Sequence, residues 1–164
     1  MSMRKLVCCL VAAGFGMITS VSVAAASGCT VPDGLGGELR IVLDELNTVR
    51  ASHGLPALRL DDSLTQSAQG HACTMARAGT FTHDGSGGAK ARMKRAGCKT
   101  RLSGENIAMG FASGSRTMDL WMNSPGHRRI ILTRNFTRVG LGVASPAPGT
   151  AGGPRWVLDV SAGC

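Results

Sequence analysis

Residues 139–143 read Val-Gly-Leu-Gly-Val, and residues 156–160 read Trp-Val-Leu-Asp-Val. Large apolar residues alternate with glycine in the first stretch and recur at every second position in the second, which is the period of a β-strand. A loop rich in proline and glycine, residues 145–154, separates the two stretches. They therefore predict an antiparallel hairpin, and the glycines of its first strand permit close approach of another backbone.

Upstream of this hairpin the apolar residues follow a helical period. A first helix, ending near His53, is predicted by an apolar stripe at spacings of three and four: Leu35, Leu39, Leu43, Leu46 and Val49. A second helix is predicted from a cap at residues 61–63 to Gly79, and a short third helix over 89–96. A strand is predicted over 104–109. A fourth helix is predicted from residue 115 or 117 through Trp121, and Pro125 breaks it. Helices followed by strands indicate an α+β domain in which helices cover a small sheet.

The first 26 residues show the three parts of a secretory signal peptide. Arg4 and Lys5 precede an apolar run at 6–18, and three alanines end at Ala26. We expect its removal to leave a leader at 27–37 and a domain at 38–164 without a transmembrane span, located outside the cell, in a periplasm or in the cell envelope. Lipid anchoring through Cys29 is an alternative, although the leucine usual in a lipoprotein cleavage box is missing.

The chain is basic, with a formal charge of +8 that falls to +6 without Arg4 and Lys5. Much of the excess lies in two clusters: Arg92, Lys94, Arg95, Lys99 and Arg101, and Arg128, Arg129, Arg134 and Arg138. We interpret both as solvated surface, and binding of anionic envelope polymers is the alternative. The few aromatic residues argue against a surface that stacks nucleic-acid bases, so no specific nucleic-acid partner is expected.

Four cysteines remain after the signal peptide: Cys29, Cys73, Cys98 and Cys164. In an exported domain they predict two disulfides, and the sequence leaves all three pairings open. Because none of them forms a C-x-x-C pair, a zinc knuckle is not expected.

Two of the four histidines have the setting of functional residues. His83 and His127 lie at element boundaries beside glycine or proline, and Glu105 is an acid within an otherwise apolar strand. Two imidazoles and a carboxylate suit Zn²⁺ or another divalent metal with one open position, or acid–base chemistry near neutral pH. The alternative is a hydrogen-bonded network that only fixes loops. His53 and His71 are interpreted as structural residues.

The order of several short motifs resembles bacterial members of the CAP superfamily, which holds the cysteine-rich secretory proteins, antigen 5 and the pathogenesis-related proteins. The motifs are Leu46-Asn47-Thr48-Val49-Arg50, Ala68-Gln69-Gly70-His71-Ala72, Phe81-Thr82-His83, Gly104-Glu105-Asn106-Ile107-Ala108, Trp121-Met122-Asn123-Ser124-Pro125-Gly126-His127-Arg128 and Val139-Gly140-Leu141-Gly142-Val143, followed by Trp156. The resemblance covers residues 39–160.

The resemblance implies a single-domain α-β-α sandwich with a central antiparallel sheet, and a cleft in which His83, Glu105 and His127 converge. In some relatives that cleft binds a divalent metal. Many eukaryotic relatives have a second acid where this chain has Ser124. We therefore expect a monomeric binding module for a lipid, a peptide or an envelope polymer. A metal- or imidazole-dependent hydrolase that uses the same three residues is the alternative.

Overall fold

Five α-helices and four β-strands make up residues 29–164, the part of the chain that the computed structural model describes. The predicted signal peptide lies outside the described residues. In chain order the elements are α1 (Leu35–Ser52), β1 (Arg59–Leu60), α2 (Asp62–Ala78), α3 (Ala89–Arg95), β2 (Ser103–Met109), α4 (Gly114–Met122), α5 (Pro125–Ile131), β3 (Arg138–Ala144) and β4 (Arg155–Ser161). No helix between residues 29 and 164 has the length and apolar character needed to cross a bilayer.

The four strands form one sheet in the order β1-β3-β4-β2. The predicted hairpin is confirmed, because β3 and β4 pair antiparallel with Val139 opposite Val160. Strand β2 pairs antiparallel with the other side of β4 and is an edge strand, and the two-residue β1 adds to β3 in parallel. The three long strands are thus antiparallel as expected, and β1 makes the sheet mixed.

Helices cover both faces of this sheet, which confirms the α-β-α sandwich. The larger apolar core lies between the sheet and α1, α4 and α5, and contains Trp121, Trp156 and Leu158. A smaller core lies on the opposite face between the sheet and α2, and contains Ala72 and Val157. Side chains alternate across each strand, so every long strand supplies both cores.

The glycines of β3 set the distance between α2 and the sheet. A Cβ atom at Gly140 would lie 2.0 Å from the carbonyl carbon of Leu64, and one at Gly142 would lie 2.4 Å from the amide nitrogen of Gln69. The Gln69 side chain then donates to the Val143 carbonyl at 2.9 Å and accepts from its N–H at 3.0 Å. Helix α2 therefore lies directly on the backbone of β3.

Two element boundaries differ from the sequence predictions. Helix α1 begins at Leu35, so residues 35–37 form its first turn and do not belong to the leader predicted at 27–37. Pro125 ends the region of α4, as predicted, but it is also the first residue of a further helix, α5. Proline is favoured at the first helical position because its missing N–H would have no helical partner there.

The structure resolves the cysteine pairing that the sequence left open. Cys29 pairs with Cys73 in α2, and Cys98 pairs with Cys164. The first disulfide uses the thiol that lipidation of Cys29 would need, so the two are mutually exclusive. One residue of the predicted solvated basic surface is also corrected. The prediction is wrong for Arg92, because its side chain is buried.

Candidate ligand-binding cleft

A cleft of about 540 Å³ opens beside the edge of the sheet and brings His83 and His127 together. It is lined by Phe81, Thr82, His83 and Asp84 from the loop after α2, Ile107, Ala108 and Met109 from β2, Leu120 from α4, and His127 from α5. The loop after α2 forms one wall, and α4 and α5 form the other. Five of these nine residues are apolar, and the two imidazoles share the polar part of the lining with Thr82 and Asp84.

His83 is held in place by Glu105. The Nδ1 atom of His83 lies 2.7 Å from Oε1 of Glu105, and the imidazole is 53% exposed. Because a carboxylate only accepts hydrogen bonds, Nδ1 carries the proton, and a neutral His83 presents Nε2 as its free lone pair. Nε2 has no hydrogen-bond partner within residues 29–164 and is the atom available to a ligand.

Glu105 is buried on the α2 side of β2, and Arg92 neutralises it. The Nη2 atom of Arg92 forms a close ion pair with Oε2 of Glu105. Nη1 of the same guanidinium donates to the carbonyl of His83 at 3.0 Å and also to that of Gly85. Arg92 therefore fixes both Glu105 and the loop that carries His83, so both oxygens of Glu105 are engaged in organising the site.

His71, which the sequence assigned to the structure of α2, supports the same loop. Its Nε2 lies 2.9 Å from the carbonyl oxygen of Thr82 and 4.0 Å from Oε2 of Glu105. Burial and the positive charge of Arg92 lower the pKa of His71, so the neutral ring donates through Nε2 and leaves Nδ1 as an acceptor. Nδ1 is buried and has no partner within the described residues.

His127 stands on the opposite wall and is fixed through its backbone. Its carbonyl accepts a hydrogen bond of 3.1 Å from the Asn106 side chain. The ring atom Nδ1 is buried without a hydrogen-bond partner in residues 29–164. Burial, followed by the charge of His83, lowers the pKa of His127 and favours its neutral form. A neutral imidazole is the form of histidine that binds metals.

Asp159 is the cross-strand neighbour of Glu105 and lies behind the cleft. It is fully buried, and neither carboxyl oxygen has a hydrogen-bond partner of normal geometry in the described chain. Burial and the negative charge of Glu105 raise the pKa of Asp159 to about 8, although the nearby Ser67 hydroxyl opposes the shift. Asp159 is therefore protonated in the folded protein at neutral pH.

The structure brings the three predicted residues to one place. His83 and Glu105 are in contact, and His127 lines the same cleft, whereas Ser124 lines a neighbouring pocket with Phe111 and Arg116. The sequence analysis missed Arg92 and Asp159. Arg92 was indistinguishable from its basic neighbours, and the only signal for Asp159 was an acid inside an apolar strand.

Within residues 29–164 no three His, Cys, Asp or Glu side chains are placed so that they could jointly hold a metal ion. The arrangement instead presents two histidines on facing walls with one buried carboxylate behind His83. In metal sites an outer carboxylate of this kind orients the ligating histidine and raises its basicity. In this cleft Glu105 holds His83 through Nδ1 and does not line the cleft itself.

Comparison with known proteins identifies the family. The model of the cysteine-rich secretory protein (CAP) family matches residues 43–159, and the chain belongs to this family. An extracellular protein of Bacillus anthracis that contains an SCP domain has the same fold, with a TM-score of 0.69 and 29% identity over 82% of this chain and 45% of that one.

Two proteins of Bacillus subtilis are similar in sequence. The uncharacterised protein YkwD is 33% identical over 69% of this chain and 45% of its own length. The uncharacterised membrane protein YlbC is 34% identical over 62% of this chain and 30% of its own length. This chain thus spans less than half the length of each of these relatives, and the similarity concerns the CAP domain they share.

Proposed function

We propose that this protein is an exported CAP-domain binding module whose cleft holds a divalent metal, Zn²⁺ or a similar ion, between His83 and His127. The observation that carries the proposal is the pair of imidazoles lining one cleft. His127 Nδ1 is buried without a partner, and His83 Nε2 is left free by the bond from Nδ1 to Glu105. A metal ion in the cleft would be bound by His83 Nε2 and by the imidazole of His127, since neutral imidazole is a favoured ligand for zinc.

Glu105 acts in this proposal as the orienting carboxylate and not as a direct ligand, because Arg92 and His83 engage its two oxygens. When bound, the ion would supply a Lewis-acidic positive charge at the base of the cleft. The protein residues would hold His83 in one tautomer and exclude water with the apolar wall. A carbonyl or carboxylate of a peptide or lipid ligand would complement such a charge. No feature of the described residues favours the hydrolase alternative.

Export is supported by three independent observations. The sequence of residues 1–26 has the pattern of a signal peptide. Two disulfides connect the described residues, and disulfides persist in oxidising compartments. The Bacillus anthracis relative is an extracellular protein. We therefore propose that the domain works outside the cytoplasm, in the envelope or the medium.

Calorimetric titration of the metal-free domain with Zn²⁺ tests the metal site. We expect binding at about one ion per chain in the wild type and at least a tenfold loss of affinity in His83→Ala/His127→Ala, since each ligand contributes to the affinity. His53→Ala is the matched control because His53 is exposed at the end of α1, away from the cleft. Equal heats for the wild type and the double variant would refute the metal proposal.

A further inference from the structure

The floor of the cleft is the unpaired edge of strand β2. Ile107 packs in the core on the α2 side of the sheet and Ala108 in the core on the opposite side, yet both line the cleft. Successive residues of a strand point to opposite faces. A cavity that touches both must therefore face the edge of the strand, where its backbone N–H and C=O groups emerge.

Three hydrogen bonds show which backbone groups emerge there. Just before and after β2, the Leu102 carbonyl accepts from Ala162 N–H, and Gly110 N–H donates to the Pro154 carbonyl. Both bonds point toward the β4 side. The Ile107 carbonyl instead accepts from the indole Nε1–H of Trp121 at 3.1 Å, on the other side. Even-numbered residues therefore pair with β4, and odd-numbered residues present their backbone groups to the outer edge.

At the C-terminal end of β2 three backbone groups of this outer edge have no hydrogen-bond partner within residues 29–164: the Ile107 N–H and both backbone groups of Met109. Ile107 and Met109 both line the cleft, so this open part of the edge faces it. An unpaired edge is a template for another strand.

We infer that the cleft binds an extended peptide segment, which adds to β2 as a further strand beside His83 and His127. This inference rests on the proposed role as a binding module and specifies its ligand. Three unpaired main-chain groups that alternate along a strand are complementary to another extended main chain, and an acyl chain would leave them unpaired. Pairing to Ile107 and Met109 requires about four peptide residues at roughly 3.3 Å each.

The walls of the cleft match the side chains of such a strand. Side chains of an added strand alternate between the loop after α2 on one side and α4 and α5 on the other. Phe81 stands on the first wall and Leu120 on the second, and both are apolar. Phe81 and Met109 are large apolar residues that are 46% and 37% exposed, which is typical of a surface that receives a partner. We therefore expect apolar side chains on the peptide.

The test uses a blocked synthetic peptide, the tightest binder selected from a random seven-residue library against the wild-type protein. Two derivatives of this peptide are made. One carries backbone N-methyl groups at its odd-numbered residues and the other at its even-numbered residues, and we call these two patterns the two frames. Only one frame removes the N–H groups that face β2, so we expect one derivative to lose at least about tenfold in affinity and the other to bind nearly as well. Equal effects of both frames, or no selected peptide, would overturn the inference.

A protein variant tests the same contact from the other side. Met109→Pro removes the outward N–H without removing a bond to β4, and proline is tolerated at such edge positions. We expect peptide affinity to fall about fivefold, with Met109→Leu as the control. Unchanged affinity in a folded Met109→Pro protein would contradict strand addition. If the selected peptide has the protein's own β2 sequence and the protein dimerises in solution, the ligand of this edge is a second copy of the chain. That result would overturn the inference.

The two proposals can fail separately. Peptide affinity is measured with Zn²⁺ and with a chelator, on the wild type and on His83→Ala/His127→Ala. If zinc does not bind but the dependence on the N-methyl frame persists, the metal proposal fails and strand addition stands. If zinc binds normally and both frames are tolerated, strand addition fails and the metal proposal stands.

Discussion

Replacing Arg50 by methionine should remove the main link between α1 and the segment that carries α5. The Arg50 side chain is fully buried and donates four hydrogen bonds to backbone carbonyls. Its partners are Pro56 at 2.9 Å, Ile131 at 2.7 Å, Thr133 at 3.0 Å and Phe136 at 3.2 Å. Methionine preserves the apolar stem and removes a donor from all four carbonyls, of which that of Thr133 keeps the Phe136 N–H at 3.4 Å.

The cost follows from which carbonyls water can reach. The bonds to Pro56 and Thr133 are partly buried, so water can replace the guanidinium there. The bonds to Ile131 and Phe136 are buried, and an unpaired buried acceptor costs about 1–3 kcal/mol. Burial, and then the charge of Arg134, lower the pKa of Arg50, so removal of the cation returns part of this cost. We expect a net loss of about 3 kcal/mol, out of roughly 5–15 for a domain.

Urea unfolding followed by tryptophan fluorescence measures this loss, because Trp121 and Trp156 are both buried. The midpoint should fall while the slope stays constant, as expected for a change in stability alone. Arg128→Met is the matched control, since Arg128 is exposed on α5. A loss for Arg50→Met no larger than that of the control would refute the reasoning that the carbonyls depend on Arg50.

Two further predictions concern the α2 face of the sheet. Because burial raises the pKa of Asp159 from 3.8 to about 8, the folded state binds a proton that the unfolded state has lost between these values. This contribution to the stability of the wild type therefore falls as the pH rises from about 4 to 8. Asparagine does not titrate, so the free energy of unfolding of Asp159→Asn should rise relative to that of the wild type by about 1 kcal/mol per pH unit. Urea unfolding of both proteins at about pH 5, 6 and 7 measures this difference. Gly142→Ala should cost about 3 kcal/mol, because its Cβ would overlap the backbone of α2; Gly70→Ala, with open space around its Cβ, should instead stabilise α2 by about 0.5–1 kcal/mol.

Each of these has a result that would contradict it. A difference between Asp159→Asn and the wild type that does not change with pH would mean that the proton is not retained on Asp159 in the folded state. A Gly142→Ala protein as stable as Gly70→Ala would mean that α2 can move away from the sheet at little cost. Thermal unfolding of both glycine variants under one condition makes that comparison directly.

The elements that were predicted correctly have a local cause. The apolar stripe of α1 and the alternation in β3 and β4 can be recognised because each buries one face along its whole length. Strand β1 has two residues, and its existence depends on pairing with β3. Helix α5 has seven residues and follows a proline that the sequence analysis interpreted only as a helix break. Such short elements depend on tertiary packing rather than on a pattern.

For the site, too, some residues could be predicted from the sequence and others could not. His83, Glu105 and His127 were identified because the family motifs that contain them appear in order, and the fold then explains why they meet. Arg92 and Asp159 lie beside Glu105 because α3 and β4 are placed next to β2 by the chain topology. No sequence signal separates a buried arginine such as Arg92 from a solvated one, and the only signal for Asp159 is an acid inside an apolar strand. Their roles therefore depend on contacts between segments 13 and 54 residues from Glu105.

The strand order also constrains how the chain can fold. Strands β3 and β4 occupy the centre of the sheet but come last in the sequence, and β1 and β2 have no neighbour until both are present. Three of the four Arg50 bonds also form late, since they join residues 81 to 86 positions apart. Folding dominated by such distant pairings is slow because loop closure precedes any gain from contacts. A growing chain must therefore emerge to about residue 161 before its sheet can form, and until then α1 and α2 remain without the surface they cover.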